Sequence, residues 1–463
     1  MKLTIDEILN ATQGEYLSGN ITETVVQVTT DSRKVRGGEL FIPLIGINFD
    51  GHDFISQAVQ QGAAVVLTQR VLENSIIDSS KACFIAVKDT LKALQDLAKY
   101  YLRNFTIPIV AVTGSTGKTT TKDLVHSVLQ QKYKVLKSEG NFNNHIGLPL
   151  SVFQLQKEHE AAIFEMGMSA LGEIDTLAEI VRPNISVITN IGLSHIEHLG
   201  SQENILEAKM EITNYLNAED VLIVNGDDAF LKNLNNQSHL FKKFYVGLNS
   251  NCDLKAENII NLGEEGSSFD VVLNEKKVNF RLCVPGDHNI YNALSAIAVG
   301  LCLDMDSSEI QRGIQAYKGS DMRLHIMGIQ DNIKVINDVY NASPDSMKAA
   351  ISVLSKAVAK RRIAVLGDML EMGHYTKMGH YTVGCEVAKE SIDLLIVVGT
   401  ASAYIAEGAI DHGFDRQKII VCDNNQEITT YLRKNMQAED IILVKGSRGM
   451  KMEEIVTGIQ ERS

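Results

Sequence analysis

The chain has 463 residues, 44% hydrophobic and 22% charged, with a formal net charge of −13. At about 100–200 residues per domain, that length calls for about three domains, each burying its own core. The acidic balance, without any basic stripe, excludes a nucleic-acid partner, and no apolar run approaches the ~18 residues of a membrane span.

The opening Met1-Lys2-Leu3-Thr4-Ile5-Asp6 lacks the basic-then-apolar form of a signal peptide, so the expected compartment is the cytoplasm. Residues 1–105 read as a small α/β domain. Thr24–Thr30, Glu39–Pro43, Ala63–Thr68 and Cys83–Val87 have strand character, and Phe54–Gln61 and Thr90–Arg103 have helical periodicity. The turns Thr30-Asp31-Ser32-Arg33 and Asp50-Gly51-His52-Asp53 fall at strand ends, where loops carry binding groups or are simply solvated. Asn104–Pro108 is the expected first hinge, because its proline stops the preceding helix.

Residues 106–316 form the expected second domain, with short apolar strands at Ile109–Thr113, Ala161–Met166, Ser186–Asn190 and Val221–Asn225. Helical stretches separate them, which predicts a largely parallel sheet. A hairpin around Asn274–Lys277 is expected to join Phe269–Leu273 to Val278–Val284. Residues 317–463, opened by Gly319-Ser320, alternate helices with strands at Ile333–Asn337, Arg362–Leu366, Leu394–Val398, Lys418–Val421 and Asp440–Val444. That pattern predicts a doubly wound, Rossmann-like domain without a GxGxxG dinucleotide signature. Cys83, Cys252, Cys283, Cys302, Cys385 and Cys422 show no CxxC spacing and are expected as reduced thiols.

The chemistry is concentrated where Val110-Ala111-Val112-Thr113 runs into Gly114-Ser115-Thr116-Gly117-Lys118-Thr119-Thr120. A strand, a glycine turn and a helix N-terminus point several N–H groups at one anion; Lys118 reaches terminal phosphates and Thr119 suits a magnesium ion. Val112 stands where the general phosphate-loop pattern has a glycine, and a mere connecting turn is the plainer alternative. Glu165, at the end of the next apolar strand, suits either a magnesium ligand or a helix cap. His195, past the strand end at Asn190, is a candidate metal ligand or proton acceptor against the default of a surface imidazole. Lys209, flanked by Glu207 and Glu211, has the pattern of a salt-bridged surface lysine. Asn289 and Asn292 share one helix face and offer donor and acceptor edges to a purine. Arg323 sits at the second hinge, placed for either a phosphate clamp or an interdomain salt bridge.

In chain order these motifs resemble the Mur ligase superfamily over the whole length. The resemblance rests on Thr30–Arg33, Gly51-His52-Asp53-Phe54, Thr113–Thr120, Gly140–Pro149, Glu165-Met166-Gly167-Met168 and Ser194-His195. It continues through Ala208-Lys209, Gly286-Asp287-His288-Asn289, Asn337–Met347, Leu366-Gly367-Asp368-Met369 and Val444-Lys445-Gly446-Ser447-Arg448. Ser115-Thr116 and Ser343 depart from the usual family residues. The resemblance implies an ATP-dependent amide ligase working through an acyl phosphate in peptidoglycan precursor synthesis. Its N-terminal domain holds a uridine nucleotide, its central domain holds ATP, and its C-terminal domain holds the amino acceptor.

The Asn-Asp-x-Tyr-Asn and Lys-Gly-Ser-Arg runs point to the branch that adds D-alanyl-D-alanine to UDP-N-acetylmuramoyl-tripeptide. For site residues the resemblance implies Lys118, His195 and Lys209 in catalysis, with Gly114, Ser115, Thr116, Gly117, Thr119 and Thr120 around the phosphates. It implies Thr119, Glu165, His195 and a carbamylated Lys209 at two magnesium ions. It gives Asn289 and Asn292 to adenine, Asp338 to ribose and Arg323 to phosphate. Ser32, Arg33, Asn143, Asn144, Tyr340 and Asn341 are left for the substrates. A monomer is expected.

Overall fold

The computed structural model describes residues 1–21, 24–72, 81–236, 238–249 and 251–461. Three main sheets divide the chain, in agreement with the expected α/β class. In the first, Glu15–Ser18 pairs antiparallel with Cys83–Ala86, and Val65–Thr68, Glu39–Phe41 and Gln27–Thr29 continue the sheet in parallel. The single strand expected over Thr24–Thr30 is two: Thr24–Val25 pairs with Leu3–Thr4, while Gln27–Thr29 enters the sheet. The break falls at Val26, whose side chain is exposed, so no burial holds the run together.

Nine strands make the central sheet. Six, in the order Val135–Lys137, Ala161–Glu165, Ile109–Thr113, Ile185–Ile188, Val221–Asn225 and Lys242–Gly247, are mutually parallel. Leu254–Asn261 joins them as a seventh parallel strand beside Lys242–Gly247, and Ser267–Leu273 with Lys276–Leu282 completes the sheet as the antiparallel addition. The expected hairpin is present but tighter, because Asn274 and Glu275 both take positive φ, at 48° and 64°, and close a two-residue turn. Three of these strands escape sequence reading. Val135–Lys137 has only three residues, Lys242–Gly247 opens on two lysines, and Leu254–Asn261 loses its alternation at Asn258, which has φ 50°.

The C-terminal sheet runs His325–Gly328, Lys334–Asn337, Asp440–Lys445, Arg361–Gly367, Leu394–Val398, Ile419–Cys422, parallel after its first antiparallel pair. Its first strand is another that the sequence reading lacked.

Helix ends follow local chemistry. Thr4 with Glu7 and Asp306 with Glu309 form capping boxes, and Asp89 accepts the Lys92 N–H at the start of Thr90–Leu102. That last helix ties the first domain to the second: Tyr101 Oη donates to Leu155 O at 2.7 Å, and Lys99 pairs with Glu179. The second and third domains meet through Lys356–Asp287 and Lys334–Glu264 ion pairs at 2.7 and 2.6 Å, and Ser320 Oγ donates to Asp123 at 2.6 Å. Among the described residues no helix is long and apolar enough to cross a membrane, and all six cysteines are free thiols.

Candidate active site

Ile109–Thr113 is buried along its length and delivers Gly114 to the carboxyl edge of the central sheet. Gly114 takes φ +147°, and a Cβ there would lie 1.8 Å from Thr189 Oγ1. Gly117, at φ +79°, opens the helix Lys118–Leu129, and its added Cβ would meet Asn292 Oδ1 at 2.7 Å. Both positions therefore require glycine. Val112, where the general pattern has glycine, is a buried strand residue in register with Glu165 and Val187, so the cradle starts two residues later.

The loop side chains brace the cradle. Ser115 Oγ accepts the Gly192 N–H at 2.8 Å, and Thr116 Oγ1 accepts Asn190 Nδ2 at 2.7 Å. Those bonds give a structural role to Ser115 and Thr116, the two loop positions that depart from the family pattern. Lys118 curls back over the loop, its Nζ donating to Gly114 O at 2.8 Å. Burial pushes its ammonium below the usual lysine range; Glu165 nearby pulls it up and Arg323 pushes it further down.

Glu165 is 3% exposed and does not cap a helix, since the next one, Glu173–Val181, begins at Gly172. Its Oε1 accepts Asn143 Nδ2 at 2.9 Å, while Oε2 has no hydrogen-bond partner. Beneath it lies Lys122, 2% exposed, with Nζ 4.0 Å from Oε2 and donating to Ser138 O at 3.0 Å. No motif in the sequence marks Lys122. It is four residues beyond Lys118 and therefore on the same helix face, which is the signal that finds it.

His195 takes φ 63°, and its Nδ1 lies 2.7 Å from Glu371 Oε2, a residue of the C-terminal domain. The two side chains meet without an aligned ring N–H hydrogen bond. Proximity to His195 holds the Glu371 carboxyl below its usual range. No sequence spacing announces Glu371.

Lys209 is not on the surface. It is 1% exposed, Glu207 is exposed, and Glu211 instead accepts the Gly172 and Asp175 N–H groups. Burial drives its pKa well below the lysine range, and Lys118 adds to the shift. Among the described residues no acidic side chain forms an ion pair with it.

Asn289 and Asn292 do share a face. Asn292 Nδ2 donates to Asn289 Oδ1 at 2.8 Å, Asn292 Oδ1 accepts Thr121 Oγ1 at 3.1 Å, and Asn289 Nδ2 donates to Pro285 O at 2.7 Å. Arg323 makes no ion pair among the described residues. Its guanidinium stacks 4.0 Å from the Tyr340 ring centroid and reaches Thr119 Oγ1 at 3.5 Å, bringing the C-terminal domain to the phosphate loop. Asp338 is held by Lys445 Nζ at 2.6 Å and by the Leu324 N–H at 3.2 Å, and the same ammonium donates to Asn341 O at 2.9 Å.

A cavity of about 760 Å³ gathers most of these groups, with Lys118, Thr119, Glu165 and His195 from the central domain facing Arg323 and Asp338 from the C-terminal one. Asn143, Asn144, Tyr340 and Asn341 line it too, although Asn144 Oδ1 is engaged by the Ile146 and Gly147 N–H groups. Ser32 and Arg33 stand elsewhere. Ser32 Oγ donates to Gln57 at 2.8 Å, and Arg33 binds Asp31 through Nε and Nη2 at 2.9 and 3.0 Å. No residue before Ser115 lines the cavity.

The donor set fits a phosphate-bound magnesium ion. A carboxylate oxygen without a hydrogen bond and a threonine hydroxyl border the cradle, and no cluster of three or more His, Cys, Asp or Glu side chains among the described residues forms a closed metal cage. Magnesium is commonly held in that way, by one or two protein oxygens with phosphates and water.

Three family models match the chain: Mur ligase family, catalytic domain, over residues 24–102; Mur ligase middle domain over 112–300; and Mur ligase, glutamate ligase domain, over 322–448. The UDP-N-acetylmuramoyl-tripeptide--D-alanyl-D-alanine ligase of Bacillus subtilis (strain 168) is 40% identical, covering 100% of this chain and 99% of its own. Among solved structures, a MurF crystal structure from Acinetobacter baumannii superposes with a TM-score of 0.91 at 29% identity, over 100% and 99% of the two chains. MurF from Thermotoga maritima in complex with ADP gives 0.82 at 27%, over 94% and 97%.

Proposed function

The chain belongs to the Mur ligase family, and from that premise we infer that it joins D-alanyl-D-alanine to UDP-N-acetylmuramoyl-tripeptide in an ATP-driven step of peptidoglycan precursor synthesis. The observation that carries the reading is the glycine cradle with Lys118, open to a cavity whose other wall comes from the C-terminal domain. A carboxylate resists attack by an amine at neutral pH, so its oxygen must first be phosphorylated. The cradle's N–H groups and Lys118 hold the terminal phosphates and stabilise the charge that moves as the γ-phosphoryl group passes to the substrate carboxylate. Arg323, already at Thr119, adds a second cation from the far wall. Asn289 and Asn292 take the adenine end, Asp338 the ribose, and Tyr340 and Asn341 the acceptor side. Asn143 positions Glu165, and Asn144 shapes the loop beside it. Ser32 and Arg33, remote from the cavity, hold the uridine nucleotide at the other end of the long substrate. We place the enzyme in the cytoplasm and infer a monomer, one chain being sufficient to supply both walls of the cavity.

Thr119 and Glu165 are the residues that would hold one magnesium ion, and His195 would stand at a second. The metal supplies neutralisation of phosphate charge. Lys209 enters this reading as a carbamate. Burial, with repulsion from Lys118, pushes this lysine, which has no anionic partner among the described residues, toward its neutral amine, the form that adds carbon dioxide and releases a proton. The product is an anion next to cationic Lys118. Native mass measurement and electron density are expected to show one added carbon dioxide at Lys209; an unmodified lysine in fully active enzyme overturns that part.

Phosphate release in the presence of UDP-N-acetylmuramoyl-tripeptide tests the whole reading. D-alanyl-D-alanine is expected to support turnover, with L-lysine and meso-diaminopimelate inert as acceptors. Turnover with either amino acid in place of the dipeptide sinks the assignment.

A further inference from the structure

Seven carboxylates line the cavity, and six have work that the structure displays. Glu165 faces Lys122 and accepts from Asn143, and Asp338 is neutralised by Lys445. Glu371 is set against His195, and Glu173 accepts the Ser169 N–H at 2.7 Å. Asp227 accepts the Leu248 N–H and the Tyr291 hydroxyl at 2.7 and 3.0 Å, while Asp228 accepts three N–H groups, from Ile191, Phe230 and Leu231.

Asp345 is the seventh. Among the described residues it has no hydrogen bond or ion pair, and its side chain stands open to the cavity. It belongs to the first turn of Pro344–Lys356, whose start is fixed by the Ser343 and Ser346 capping box. It points across the domain seam at the phosphate loop. A Cβ placed on Gly192 would lie 2.5 Å from Asp345 Oδ2 and 3.3 Å from Ser115 Cβ. Gly192 thus keeps a gap between the carboxylate and the loop that holds the reacting phosphate.

The proposed acceptor is a dipeptide whose α-amino group is an ammonium ion at neutral pH. It needs an anion to bind it and a base to deprotonate it. Resting on the ligase reading, we propose that Asp345 receives the ammonium of the incoming dipeptide and takes the proton it loses before attack. The freed lone pair forms the C–N bond at the acyl-phosphate carbon, and the C–O bond to phosphate breaks with its electron pair. The amine's second proton leaves with the phosphate, and the one on Asp345 passes to solvent. Desolvation raises the pKa of the carboxyl, Lys348 one helical turn along draws it down and Asp228 adds to the rise; the net direction is the one a proton acceptor requires.

The test compares two nucleophiles in Asp345→Asn enzyme supplied with ATP, magnesium and the UDP-N-acetylmuramoyl-tripeptide. Hydroxylamine is uncharged at neutral pH and needs neither an anion nor a base to attack the same acyl phosphate. The expected result is a fall of about 100-fold in kcat/KM for D-alanyl-D-alanine, the lower end of general-base effects, with hydroxamate formation within about threefold of the parent. Dipeptide use within about threefold of the parent overturns the assignment, as does a parallel loss of hydroxamate. Parent enzyme that forms no hydroxamate overturns the ligase reading itself, and this assignment with it.

Discussion

Lys118→Ala is expected to lower kcat for ADP formation by on the order of 10³-fold, in the range seen when a cation or donor aimed at a transferring group is removed. The stability of the fold should change little, because among the described residues Lys118 hydrogen-bonds only to loop carbonyls, Gly114 O at 2.8 Å and Ser115 O at 3.5 Å. The glycine cradle remains in the variant, so nucleotide binding should weaken far less than turnover. Steady-state kinetics beside equilibrium binding of a non-hydrolysable ATP analogue measure the two effects separately. An undiminished kcat removes the phosphate loop from the chemistry.

Lys445→Met should act on stability instead. The Lys445 and Asp338 side chains are 2% and 9% exposed, with Nζ 2.6 Å from Oδ2. Burial pushes the Lys445 ammonium down, and Asp338 pulls it back up. Removing the cation strands the Asp338 carboxylate, and breaking such a pair on one side costs about 3–5 kcal/mol. The denaturant midpoint of the C-terminal domain should fall accordingly. Adding Asp338→Asn to Lys445→Met should recover most of the loss, since no uncompensated charge is then left. A single variant as stable as the parent shows that Asp338 finds other partners or takes up a proton.

Local chemistry was readable from the chain; contacts between distant segments were not. The phosphate loop, Glu165 at a strand end and the pairing of Asn289 with Asn292 all follow from spacing within about ten residues. Lys209 misled for a physical reason: Glu207 and Glu211 look like partners on paper, but Glu211 turns toward the N-terminus of Glu173–Val181. The stacking of Arg323 on Tyr340, beside its reach to Thr119, is a contact that no spacing in the chain announces. Glu371 and Asp345 reach the cavity only through packing of the third domain on the second, which no periodicity encodes. The hinge region had a visible glycine, Gly319, yet the Ser320 bond to Asp123 that pins it was hidden.

The cavity takes no side chain from the first 114 residues. On the proposed reading the front module is a handle, gripping its cargo far from where the bond is made. Changes to that grip would then leave the engine behind untouched, so a lineage could trade one carrier for another without reinventing the reaction.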